Sequence, residues 1–263
     1  MRSFRKYHGT GNDFIFVQGP VENPADLARK LCDRHFGIGA DGLMYATLSD
    51  RADIRMHYFN SDGSEARMCG NGLRCFVRYL LDESIIKKES FIVETAAGLI
   101  PVEAHGDHIV LDLPVNRLKL DESELTMTLD ASGSVNVEGL EAYPLFMGTQ
   151  HAVVFAYPEL DIKTWGPKLT KHKIFPQDIN VNFVEVLDQN SLKVITHERG
   201  AGWTLSCGTG VCASAWIAHH TQKTENKMQV FVPGGALSVM VFEDFVRLSG
   251  PAVFIAKGEF KED

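Results

Sequence analysis

The chain carries one signature twice. Cys69-Gly-Asn-Gly-Leu-Arg and Cys207-Gly-Thr-Gly-Val-Cys stand 138 residues apart. Downstream, Ala97-Gly98-Leu99 answers to Gly234-Gly235-Ala236 and Leu113-Pro114 to Gly250-Pro251, both at an offset of 137. Upstream, Gly9-Thr10 answers to Gly148-Thr149, Phe36 to Phe175 and Asp41 to Asn180, all at an offset of 139. Separated segments that keep their order with single-residue slips mark a duplicated unit. Whatever one half folds into, the other must fold into as well. The boundary falls near Pro114, whose repeat equivalent is Pro251, so two domains are predicted: 1–113 with 251–263, and 114–250.

Local patterns give both halves similar elements. Asn23-Pro24 reads as a helix start, with Leu27, Ala28 and Leu31 along one face. Short alternating or apolar runs predict strands at 14–17, 54–59, 91–94 and 109–113, with counterparts at 153–155, 193–197, 229–232 and 245–248. After Cys69, Leu73, Phe76, Val77, Leu80 and Leu81 fall at helical spacing. After Cys207 the run 211–218 is apolar nearly all round, as in a helix buried on every side. The predicted fold is mixed α/β (α+β): two pseudo-symmetric domains, each a curved, mostly antiparallel sheet or barrel around a central helix. The last strand, 253–255, returns to the first domain.

Composition excludes several classes. With 263 residues, 44% of them hydrophobic, the chain can bury a full core. A net charge of −8 argues against nucleic acid as a partner, because phosphate-backbone binders carry a basic face. No stretch approaches the length of a bilayer span, so no membrane association is expected. Arg2, Arg5 and Lys6 precede a run broken by Gly9, Asn12 and Asp13, which is no signal-peptide core. Five sparse cysteines (Cys32, Cys69, Cys75, Cys207, Cys212) read as reduced cytoplasmic thiols. No metal is expected: His105 and His108 have ligand spacing, but they lie in an alternating stretch and read as solvent-facing.

The two cysteines carry the chemistry. Each stands before Gly-X-Gly and a helix, where unbonded backbone N–H groups and the helix dipole favour a thiolate. The N–H groups of Gly70, Asn71, Gly208 and Thr209 suit a carboxylate in the same places. A pseudo-two-fold axis can set two such thiols on opposite sides of one carbon. Taking a proton from one face and returning one to the other inverts a stereocentre, while the helix N-termini stabilise charge developing on the carboxylate. Asn60 and Glu198 each lie nine residues before their cysteine, and Asn12 and His151 are equivalent at the 139 offset. Asp62-Gly63 reads as a turn, and Asn12-Asp13 admits the same plain reading. Gly9-X-Gly11 is no dinucleotide fingerprint, because a strand follows it where a helix should.

These residues resemble a known family. His8-Gly9-Thr10-Gly11-Asn12-Asp13-Phe14, Gly37-Ile38-Gly39-Ala40-Asp41, Asn60-Ser61-Asp62-Gly63-Ser64-Glu65, the two cysteine turns and Glu198-Arg199-Gly200-Ala201-Gly202 are similar to the motifs of the diaminopimelate epimerases. Those are cofactor-independent amino-acid epimerases of lysine and peptidoglycan biosynthesis. The resemblance spans nearly the whole chain. It implies Cys69 and Cys207 as the acid–base pair, and Gly70-Asn71 and Gly208-Thr209 as the cradle of the reacting carboxylate. It implies substrate contacts from Asn12, Asn60, Asn180 and Glu198-Arg199, with His151 and Glu198 tuning the thiols. It also implies neither pyridoxal phosphate nor metal. Gly42, Trp203 and Thr149-Gln150-His151 depart from the family pattern, although a Thr149 hydroxyl can still donate one hydrogen bond. The expected partner is a small-molecule amino acid; a homodimer is left open. The alternatives are a racemase of another amino acid on the same fold, or a thiol redox switch in a binding protein. Nothing else in the sequence favours the second, which lacks a Cys-X-X-Cys motif.

Overall fold

Parallel strand pairs need a crossover long enough to hold a helix, and this requirement organises both halves. The structure is a computed structural model and describes residues 1–261. The chain folds as two compact units, Met1–Asp112 with Ser249–Asp263, and Leu113–Leu248.

The first unit contains β1 (Arg2–Gly9), β2 (Asn12–Val17), α1 (Pro24–Cys32), β3 (Gly42–Thr47), β4 (Ile54–Asn60), α2 (Gly70–Asp82), β5 (Ser90–Thr95), β6 (Gly98–His105) and all but the last two residues of β7 (His108–Pro114). The second contains β8 (Val135–Val137), β9 (Leu140–Phe146), β10 (Gln150–Phe155), α3 (Ile162–Thr170), β11 (Asn180–Asp188), β12 (Ser191–Glu198), β13 (Gly202–Thr204), α4 (Gly208–His220), β14 (Lys227–Val232), β15 (Gly235–Val241) and the start of β16 (Phe245–Pro251), whose residues from Ser249 on belong to the first unit. The final strand, β17 (Val253–Phe260), pairs antiparallel with β1.

The repeat is visible in the pairing. In the first unit β2 and β3 are parallel across α1, β3 and β4 antiparallel, β4 and β5 parallel across α2, and β5 and β6 antiparallel. In the second, β10 and β11 are parallel across α3, β11 and β12 antiparallel, β12 and β14 parallel across α4, and β14 and β15 antiparallel. β13 is the one strand inserted into this series, antiparallel to β12.

α2 and α4 are the central helices. Buried residues cover α2 from Gly70 to Val77, while Arg78 and Asp82 form an ion pair on its outer side. In α4 burial runs from Gly208 to Ala218 with few interruptions, as its all-round apolar sequence requires. Each unit also has a flanking helix. α1 starts at the expected Asn23-Pro24, although the Asn23 side chain makes no capping bond. α3 has no counterpart in the sequence reading, because Gly166 and Pro167 interrupt its pattern. The plain turn reading that Asn12-Asp13 admitted does not hold: the turn is at Thr10 and Gly11, with φ of 50° and 87°, and Asn12 already opens β2. One repeat match breaks down in three dimensions. Phe175 is 2% exposed in the second unit's core, whereas Phe36 is 94% exposed.

Candidate functional site

Each unit presents one thiol at the head of its central helix, and the strands around it supply the polar partners. In the first unit Cys69 is the N-cap of α2, with extended backbone and its sulfur accepting from the Gly72 N–H at 3.4 Å. This is the usual N-cap arrangement with sulfur in place of oxygen. The half-buried Cys69 thiol also donates to Asn12 Oδ1 at 3.6 Å. Asn12 is oriented from behind, its Nδ2 donating to Asp41 Oδ2 at 2.5 Å. A carboxylate can only accept, so the Asn12 carbonyl oxygen must face the sulfur.

Asp41 belongs to a four-member charge cluster. Arg34 bridges Asp13 and Asp41 at 2.7 and 2.8 Å, and Lys6 meets Asp13 at 2.9 Å. Burial alone would raise the Asp13 carboxyl, but Arg34 and Lys6 outweigh it and hold the group below its ordinary range. Within α2, Arg74 is 0% exposed. It donates to the carbonyls of Gly70 and Pro251 and to Thr10 Oγ1, at 3.3–3.4 Å. Asn71, also buried, accepts from Thr10 at 3.4 Å. Asn60 ends β4 in register with Gly42, and its Nδ2 donates to Ser64 Oγ at 3.0 Å across the expected turn. A side chain at Gly42 would meet the Tyr58 ring at 2.5 Å, so the glycine there fits its neighbours.

In the second unit Cys207 is the buried N-cap of α4. Its sulfur lies 3.6 Å from Thr209 Oγ1, and Thr209 lies 3.0 Å from His151 Nε2. His151 is 0% exposed, and its other ring nitrogen accepts from Asn182 Nδ2 at 3.1 Å. Burial first, and the charge of Arg199 second, push the His151 imidazole down to about 3, so the ring is neutral at physiological pH. The strands explain these meetings. His151 pairs with Asn180 across β10 and β11, and Asn182 with Thr196 across β11 and β12.

Asn180 fixes the turn after β12. Its Oδ1 accepts from the Arg199 backbone N–H at 2.9 Å, and its Nδ2 donates to the Gln150 carbonyl at 2.9 Å. The Arg199 guanidinium donates to the Gln177 carbonyl at 2.9 Å and to Thr149 Oγ1 at 3.4 Å. Thr149, where the sequence departs from the family pattern, therefore braces Arg199. Half-buried Glu198 closes β12 in register with Gly202. Trp203 packs on α3, where a side chain at Gly166 would strike its ring at 2.6 Å.

Of the expected residues, Asn12 and Asn71 gather around the head of α2, and His151 and Thr209 around the head of α4. Asn180 meets Arg199, while the Asn60 side chain bonds Ser64 across its own turn. Sequence reading missed Asn182, Arg74 and the Asp13–Arg34 pairing. Asn182 was signalled by strand alternation, two residues beyond Asn180 on one face. Arg74 was signalled by a charge inside an apolar helical stripe. The other thiols are core. Burial pushes Cys32 up to about 12 and raises Cys75 further, and Cys212 is fully buried. Among the described residues no cluster of side chains could hold a metal ion, and no helix is long and apolar enough to cross a membrane. His105 and His108 are exposed, paired across the β6–β7 hairpin.

Comparison with known proteins gives a consistent result. A family model described as diaminopimelate epimerase matches residues 4–113 and 145–255. The diaminopimelate epimerase of Desulfitobacterium hafniense is 42% identical over 276 residues, covering 98% of each chain. That of Alkaliphilus metalliredigens is 40% identical, covering 98% of this chain and 96% of its own. Among solved structures, a phenazine biosynthesis protein of the PhzF family from Bacillus anthracis superposes with a TM-score of 0.71 at 18% identity, covering 99% of both chains. A probable proline racemase from Agrobacterium radiobacter K84 gives 0.72 at 14% identity, covering 100% of this chain and 94% of its own. At such identities these two likenesses concern the fold alone.

Proposed function

Because the chain belongs to the diaminopimelate epimerase family, we infer that it is an isomerase of lysine biosynthesis that interconverts LL- and meso-2,6-diaminopimelate with two cysteines and no cofactor. The observation that carries the mechanism is the repetition of one device: a thiol at the N-cap of each central helix, Cys69 on α2 and Cys207 on α4. One sulfur, as thiolate, takes the α-hydrogen as a proton, and the electron pair left on carbon delocalises into the α-carboxylate. The N–H groups of Gly70, Asn71, Gly208 and Thr209 stabilise that charge, since helix N-termini favour anions. The other sulfur, as thiol, delivers its proton to the opposite face. After turnover the thiol and thiolate have exchanged places, and proton exchange with solvent or a reverse turnover restores them.

The distal amino-acid end is assigned to Asn60, Asn180 and Arg199. A planar guanidinium can hold a carboxylate through two parallel hydrogen bonds. A reducing cytoplasmic compartment suits a reaction that needs both sulfurs unoxidised. The test is incubation of LL-diaminopimelate in heavy water, followed by NMR of the α-proton. Exchange and equilibration with the meso form are expected with no addition. Exchange that needs pyridoxal phosphate or a metal would overturn the two-thiol reading.

A further inference from the structure

The second unit contains a buried chain of hydrogen bonds whose directions can be worked out from its far end. Thr196 Oγ1 donates to Asn182 Oδ1 at 3.0 Å, and the Ala152 carbonyl lies 3.4 Å from Asn182 Nδ2. A carbonyl only accepts, so the atom beside Ala152 must be the amide nitrogen. That nitrogen also donates to His151 Nδ1 at 3.1 Å. A neutral imidazole has one donor and one acceptor nitrogen. With Nδ1 accepting, the ring proton sits on Nε2 and is donated to Thr209 Oγ1 at 3.0 Å. The Thr209 oxygen then accepts from histidine, and its own proton points onward to Cys207 Sγ at 3.6 Å.

We propose that Asn182 is a positioning residue of the reaction: by fixing the His151 tautomer it turns the Thr209 hydroxyl into a donor to Cys207, which stabilises the thiolate of that cysteine. This deepens the two-thiol reading and rests on it. Asn182 touches no reacting atom and acts through two intervening side chains. Donation to the charged form of a group favours that form, so the relay holds Cys207 ready to take a proton. The first unit is built differently, since Asn12 presents a carbonyl oxygen to Cys69. Cys69 therefore serves as an internal reference. The titratable groups around the relay are His151 on β10 and Arg199, whose charge reaches that ring. On β12, Glu198 shares the strand face of Thr196, while His197 takes the opposite face and pairs with Thr170 at 2.8 Å. α4 contributes buried Cys212.

The experiment follows alkylation of each cysteine against pH in the intact protein, with peptide mapping to separate the sites. Midpoints are compared, because absolute rates also depend on access. Thr209→Val and Asn182→Leu are each expected to raise the Cys207 midpoint by about one pH unit, tenfold in thiolate at a fixed lower pH, with Cys69 unmoved. The double variant should move it no further than Thr209→Val alone, because Asn182 acts only through Thr209. Thr209→Ser should restore the original midpoint. Additive shifts, or a Cys207 midpoint indifferent to Asn182, overturn the proposal. If either variant fails to fold, nitrogen-15 NMR of His151 in the unaltered protein decides: a proton on Nε2 supports the relay, and a proton on Nδ1 overturns it. Neither readout uses substrate. Epimerisation persisting in Cys207→Ala would overturn the two-thiol reading and leave the tautomer result standing.

Discussion

The second glycine of the two cysteine turns separates the halves quantitatively. Gly72 and Gly210 are repeat equivalents, each in the first turn of its central helix. A Cβ at Gly210 would stand 2.2 Å from Asn182 Oδ1, about 1.2 Å inside ordinary contact at 3.4 Å. Asn182 cannot simply retreat, because Thr196, His151 and Ala152 hold it from three directions. Overpacking of this kind costs about 1–3 kcal/mol, and a broken buried hydrogen bond adds about 1 kcal/mol. Replacing a helical glycine by alanine returns about 1 kcal/mol. Gly210→Ala should therefore lose about 1–3 kcal/mol, which for a chain of this size lowers Tm by roughly 2–12 °C. It should also lower kcat, because Asn182 is forced out of line with His151. At Gly72 the closest obstacle is Met44 Cε at 2.1 Å, the far end of a flexible side chain, and the next is Phe14 Cζ at 3.3 Å. A methionine can re-rotamer, so the Gly72→Ala cost is largely offset by the helical gain, and Tm should fall less than in Gly210→Ala. Calorimetric melting with parallel steady-state kinetics tests both. A larger loss of Tm in Gly72→Ala, or a Gly210→Ala enzyme with unaltered kcat, refutes the reasoning.

Two more perturbations probe the same site. Arg199→Lys removes the bidentate fork; losing a charged hydrogen bond costs about 1.5–3 kcal/mol, roughly ten- to hundredfold in kcat/KM for diaminopimelate. Lysine, which lacks the distal carboxylate, should be a very poor substrate, and equal rates with the two would remove Arg199 from its assigned role. Acid stability should follow His151. Its folded value of about 3 lies below the unfolded value of roughly 6.5, so above pH 6.5 the ring is neutral in both states and there is no penalty. As pH falls from there towards 3 the unfolded chain takes up a proton that the folded one refuses, and stability drops. His151→Gln should flatten that part of the stability curve in denaturant titrations, and an unchanged slope would contradict the buried neutral ring.

How much of this was legible in the sequence depended on whether a residue acts through local pattern or through pairing. The central helices were readable because Leu73 to Leu81 and the run 211–218 declare their period or its absence within one element. Cys69 and Cys207 were readable because the duplicated turn places each at a helix start without reference to anything distant. Strands such as β1 and β11 were not, since Tyr7 or Val184 becomes a strand residue by finding a neighbour far along the chain, and propensity alone decides little there. The duplication itself misled at Phe36, because equivalent backbone does not oblige equivalent packing: Phe175 found a core and Phe36 did not. The same divergence sets the surroundings of the two thiols apart. Asn12 and His151 occupy equivalent positions, yet one presents an amide oxygen held by Asp41 and the other a ring nitrogen held by Asn182. Duplication supplied two equivalent thiol placements; what separates them is the chain of partners behind each sulfur, Asn12 and Asp41 behind Cys69 and Thr209, His151 and Asn182 behind Cys207. Asp41 and Asn182 sit at non-equivalent places in the repeat, so comparing the two halves position by position could not have found either role.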